Sequence, residues 1–145
     1  MVEMKRQDER IQFFFEESER FLMSGAALTE WSVFISESVY TAFVNGADLS
    51  TIITKGVCIE AYLRAELNSN QKFSELIDQG KCFLGADLCE RLHHFRKYRN
   101  SWVHCDSRND TKILDCRESI EIELEEWSFK SITLLFEVLY SMPFV

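Results

Sequence analysis

The stretch Arg96-Lys97-Tyr98-Arg99-Asn100-Ser101-Trp102-Val103-His104 decides how this chain is read. It lies on one predicted helix from about Ala86 to His104, in which Leu88, Leu92, Phe95 and Trp102 recur on a single stripe at helical spacing. Arg99 falls in the middle of that stripe, where an apolar residue is expected. A guanidinium cannot shed its charge, so on a packed face it needs a carboxylate, a symmetry mate or a bound anion. Arg96, Asn100 and His104 follow one another at four-residue steps and form a polar row beside the apolar one.

Working outward, a second helix has the same oddity. Asp48 or Ser50 caps a predicted helix through about Leu67, with Leu49, Ile52, Ile53, Gly56, Ile59, Leu63 and Leu67 on one stripe and Glu60 within it. Two helices that each carry one charge of opposite sign in an apolar stripe are expected to meet there, with Glu60 holding the Arg99 guanidinium in one orientation. The alternative is an ion pair with a structural role alone, or an amphipathic helix whose glutamate reaches past the core edge.

The motif resembles the HEPN superfamily, small all-helical domains marked by an arginine, a short spacer and a histidine near the end of the penultimate helix. Arg99 and His104 supply the two ends, and Asn100 directly follows the arginine. The resemblance runs from about Glu30 to Tyr140, with a weaker match around Ile59-Glu60-Ala61. It implies a metal-independent endoribonuclease without a cofactor, whose RNA-cleaving site forms when a homodimer brings two Arg/His pairs together. Arg99, Asn100 and His104 are then the catalytic residues, Glu60 supports Arg99, and Arg96 and Lys97 contact RNA. Many relatives act in toxin-antitoxin or phage defence, which implies an antitoxin or defence-system partner. Members regulated by nucleotide modification carry a tyrosine two residues after the histidine, whereas this chain has Asp106. The alternative within the resemblance is a non-catalytic module for dimerisation or for binding a partner or nucleotide; outside it stands an unrelated helical interaction protein.

Composition bounds these readings. The 145 residues, with one proline at Pro143 and no linker or repeat, read as a single all-α domain, 1–145, of five to six helices. The net charge of −8 excludes general binding of nucleic acid through a basic surface. Any RNA contact must be local, and the segment with Arg91, Arg96, Lys97 and Arg99 against Asp87 and Glu90 has the positive balance. Five cysteines, an odd number scattered through apparent helices, do not form a disulfide framework and point to a reducing cytoplasm. No apolar run approaches membrane-spanning length.

The remaining helices are predicted over about Lys5–Met23 (apolar side Ile11, Phe14, Phe15, Phe21, Leu22), from Thr29 to the Asn45-Gly46 break (Trp31, Phe34, Ile35, Ser38, Ala42, Phe43), and over Phe73–Gln79. Ile113–Leu124 alternates like a strand, but the window to Tyr140 fits a helix with Ile120, Leu124, Trp127, Leu134 and Val138 on one side. Its opposite side has Ile122, Phe129 and Phe136 at seven-residue steps, either a subunit interface or a seat for the first helix. Cys89 and His93, four apart, could chelate zinc with Cys82, His94, His104, Cys105 or Cys116, yet no Cys-x-x-Cys spacing supports a metal site. His93 and His94 read as helix-surface residues without a catalytic role.

Overall fold

The computed structural model describes residues 7–21, 28–104 and 111–141, all helical apart from short connections. The order is α1 (Gln7–Phe21), α2 (Glu30–Val44), α3 (Asp48–Leu67), α4 (Phe73–Gln79), α5 (Lys81–Leu84), α6 (Ala86–Val103), α7 (Lys112–Asp115) and α8 (Arg117–Leu139). Among the described residues there are thus eight helical segments rather than five to six, because Gly80 and the stretch before Arg117 each admit a four-residue turn of helix. No strand occurs among these residues, and Ile113–Leu124 is helical on both sides of a break at Cys116.

The chain's own stop signals set the boundaries. Thr29 Oγ1 accepts from the Ser32 backbone N–H at 3.1 Å and starts α2. Gly46, at φ 75°, makes the turn into α3, and Asn68, at φ 47° and ψ 51°, ends α3 in the left-handed region that asparagine tolerates.

Helix α3 is the hub, packing on α2, α8, α4 and α6, while α1 covers α2 and α8. Ile52, Ile59 and Leu63 of α3 are fully buried, as are Leu92 and Phe95 of α6 and Ile132, Leu135 and Val138 of α8. At about 25 cal/mol per Å² of apolar area, such side chains supply the main drive to fold. The second face of α8 packs under α1: Phe129 lies 4.9 Å from Phe13 and Phe136 5.0 Å from Phe14, ring centroid to centroid. Aromatic packing within the chain therefore occupies those two positions, and Ile122 stays 43% exposed.

Three expectations about helix faces are corrected. On α2 the buried residues are Ser32, Val39, Phe43 and Val44, while Trp31 and Phe34 are 68% and 69% exposed. Apolar side chains lie nearly all round α2, so its sequence does not select a face; packing chose the side on which Cys58 Sγ reaches the Ser32 carbonyl at 3.7 Å. On α1, Phe15 is 53% exposed while Arg10 is fully buried, because Asp48 and the Phe43 carbonyl accept from its terminal nitrogens. On α3, burial extends well past the apolar stripe to Asp48, Thr51, Lys55 and Tyr62, since helices surround it, whereas Leu49 of that stripe is 39% exposed. The expected Met23 end of α1 and the Cys105 and Asp106 positions lie outside the described residues.

Candidate functional site

Leu88, Leu92 and Phe95 pin α6 to the core, which turns Arg99 toward α3. The expected pairing is present: Arg99 Nη1 donates to Glu60 Oε1 at 2.6 Å. Arg99 Nη2 donates to Asn100 Oδ1 at 3.1 Å, and the guanidinium carbon lies 5.2 Å from the centre of the Phe73 ring on α4. A carboxylate, an amide and an aromatic face thus fix one guanidinium. The Arg99 and Glu60 side chains are 15% and 17% exposed, so the pair sits at the margin of the core with an opening to solvent.

Two residues make this geometry feasible. Gly56 lies one turn before Glu60, and a Cβ there would fall 2.5 Å from Arg99 Cδ and 2.8 Å from Nη1. Only a residue without a side chain lets the arginine cross α3 at this height. Arg64, one turn after Glu60, brings Nη1 to 3.2 Å from Glu60 Oε2, so each carboxylate oxygen faces a guanidinium. Gly56, Glu60 and Arg64 on α3 therefore mirror the four-residue rhythm of Arg96, Asn100 and His104 on α6.

The rest of the polar row is more open. His104 is the C-cap of α6, exposed, with an extended backbone and its N–H donated to the Asn100 carbonyl at 3.1 Å. Asn100 is half-buried, and with Oδ1 turned to Arg99 its amide N–H donors are directed away from that contact. Lys97 is exposed and Arg96 half-buried. Arg96 Nε donates to His93 Nδ1 at 3.4 Å, and His93 Nε2 lies 2.8 Å from Asp78 Oδ1 on α4. His93 was expected to be a bystander on the helix surface; instead it links two helices. The fourteen residues from Arg91 to His104 contain no carboxylate, so this end of α6 brings a local excess of positive charge to an acidic protein, offset in part by Glu137, Asp78 and Glu60 from other helices.

The structure thus joins Arg99, Asn100 and Glu60 directly, and places Arg96, Lys97 and His104 on the same helix around them. Sequence reasoning placed Gly56 on the α3 stripe without seeing its role, and passed over Arg64, Phe73 and the Asp78–His93 link. One signal was available, since glycine inside a helix costs up to ~1 kcal/mol and often marks a close approach. The remaining contacts depend on how α4 meets α6. No group of three or more His, Cys, Asp or Glu suited to a metal occurs among the described residues, which do not include Cys105. Cys89 is buried with its thiol on the Ile77 carbonyl, whereas Cys82 and Cys116 are exposed. No helix among the described residues is long and apolar enough to cross a membrane. Comparison with protein-family models, curated proteins and solved structures found no match for this chain.

Proposed function

We propose that this chain is a metal-independent endoribonuclease of the HEPN type, linked to toxin-antitoxin or phage defence. Arg99, Asn100 and His104 from two copies would face one RNA strand. The observation that carries this reading is the fixed Arg99 guanidinium, seated on Gly56 and oriented by Glu60, on the helix whose C-cap, five residues on, is an exposed histidine. A preset positive group beside an exposed acid–base group is what cleavage of a phosphodiester by its own 2′-hydroxyl requires. One His104 takes the 2′-hydroxyl proton, and the 2′-oxygen bonds to phosphorus while the bond to the 5′-oxygen breaks. His104 of the second copy protonates that leaving oxygen. Arg99 and Asn100 stabilise the charge on the phosphorane between these events. Lys97 and Arg96 hold the flanking phosphates.

The test is incubation with RNA in the presence of a strong chelator. Cleavage products ending in 2′,3′-cyclic phosphate, and no cleavage of the matching 2′-O-methyl strand, are expected; a Mg²⁺ requirement would overturn the mechanism. A second reading, a non-catalytic module for dimerisation or for binding a partner or nucleotide, is favoured by the engagement of both Arg99 terminal nitrogens within the chain. Light scattering and cleavage separate the two: a monomer at high micromolar concentration without activity supports partner or nucleotide binding, and a dimer without activity supports dimerisation.

A further inference from the structure

His93 lies two turns before Asn100 on α6, and it faces Asp78 of α4 rather than open solvent alone. An arginine Nε–H can only donate, so the 3.4 Å contact from Arg96 makes His93 Nδ1 the acceptor. The ring proton then sits on Nε2 and is donated to Asp78 Oδ1 at 2.8 Å. The three groups form a directional chain, carboxylate to imidazole to guanidinium. Its far end is the pair of Arg96 terminal nitrogens, whose Nε is already occupied.

We infer that Asp78 and His93 are positioning residues that hold the Arg96 fork as a subsite for an RNA phosphodiester next to the Asn100–His104 row. Four observations carry it. His93, Arg96, Asn100 and His104 fall on one side of α6 at helical steps of three, four and four residues. Among the described residues Arg96 has no carboxylate partner, whereas Arg64, Arg91 and Arg99 each contact at least one. The row carries no acid of its own between Arg91 and His104, and the two carboxylates that reach this stretch from α4 and α3, Asp78 and Glu60, are engaged by His93 and Arg99. The Asp78 and His93 side chains are 72% and 24% exposed, and a link so placed adds little to folding. A guanidinium held through Nε presents its two terminal nitrogens as a fork, the geometry that phosphate oxygens accept.

The inference rests on the ribonuclease reading above, and the experiment separates the two. A fluorescent single-stranded RNA with 2′-O-methyl riboses, which cannot be cleaved by the route proposed, is titrated with full-length protein and followed by anisotropy at several salt concentrations. Arg96→Ala should weaken binding about tenfold and lower the salt slope by about one. His93→Ala and Asp78→Ala should each weaken it about threefold or more, through disorder of Arg96, with melting temperatures close to wild type. His93→Asn, which retains an acceptor near the Nδ1 position, should recover much of the loss, and His94→Ala should change nothing. The double variant His93→Ala/Arg96→Ala should bind no worse than Arg96→Ala, because His93 acts only through that arginine. Wild-type binding that His93→Ala leaves unaltered, or losses that simply add in the double variant, would overturn the positioning role and leave the ribonuclease reading intact. Wild-type protein that neither binds nor cleaves RNA would overturn both.

Discussion

Two arginine–carboxylate pairs, both with a 2.6 Å contact and both built on α3, have opposite surroundings. Arg10–Asp48 is sealed, its side chains 1% and 6% exposed, and the Phe43 and Phe129 rings lie 5.2 and 5.1 Å from the guanidinium. Arg99–Glu60 is open along one side and continues into Asn100, Lys97 and His104. Ion pairing alone therefore does not mark a site; the marker is what the uncovered side of the pair faces. The sealed pair ties α1 to α3, and a buried pair of this kind is costly to break whether or not it was favourable to form. The open pair presets an arginine at the surface.

Removing the acid from each pair is the harshest way to break this contrast. Asp48→Ala leaves the buried guanidinium with only the Phe43 carbonyl and the more distant Glu125 carboxylate at 3.8 Å, and should cost about 3–5 kcal/mol, read as a large fall in the urea midpoint. Glu60→Ala leaves Arg99 partly hydrated and should cost about 1–2 kcal/mol, while cleavage falls by about 100-fold as the guanidinium loses its orientation. Equal stability losses in the two variants would show that exposure does not separate the pairs.

Gly56→Ala sharpens the contrast without touching a charge. The new Cβ would clash with Arg99 Cδ at 2.5 Å and push the side chain off Glu60. The alanine also gains up to ~1 kcal/mol of helix propensity, so stability should move by about 1 kcal/mol or less while cleavage drops about 100-fold. Full activity in this variant would mean that the seated geometry of Arg99 is dispensable.

The subtlest test concerns Lys55, which lies on the sealed side of α3 and is fully buried. Its Nζ donates to the Ser128 carbonyl at 3.0 Å and to Ser131 Oγ at 2.5 Å. Burial pulls its pKa well below the ordinary lysine value, against the smaller opposing effects of Asp48 and Cys58. The unfolded chain then binds more protons than the folded one between the lowered and the ordinary value, so stability from Lys55 rises with pH across that window. Burial acts the other way on the Cys58 thiol, pushing it up to about 12, so above the ordinary thiol range this group makes stability fall with pH. Denaturation from neutral pH to about pH 8.5 should show a rise that Lys55→Met abolishes. A wild-type curve that is flat or falling there would contradict the buried amine.

What could be read in advance follows from how pattern maps onto packing. The α3 and α6 segments were legible because each has a single apolar stripe, and the Glu60–Arg99 contact because one charge interrupts each stripe. Arg10 and Lys55 were not, since their charges lie off any stripe and are buried only by the arrangement of α1, α2 and α8. The face of α2 was legible only in part because apolar residues lie nearly all round it: Phe43 and Ile35 meet the core as their spacing suggests, whereas Trp31 and Phe34 do not and Val39 does. The Asp78–His93 link depends on α4 crossing α6, a relation that no local spacing encodes.

The most direct measurement is single-turnover cleavage of RNA by wild-type and His104→Ala protein, both in chelator, with helicity and melting temperature recorded on the same samples. His104 is exposed at a helix end, so its removal should leave the fold within about 0.5 kcal/mol of wild type. The account expects wild type to yield 2′,3′-cyclic phosphate ends and the variant to be slowed by at least about 100-fold. Cleavage by His104→Ala at the wild-type rate would contradict it.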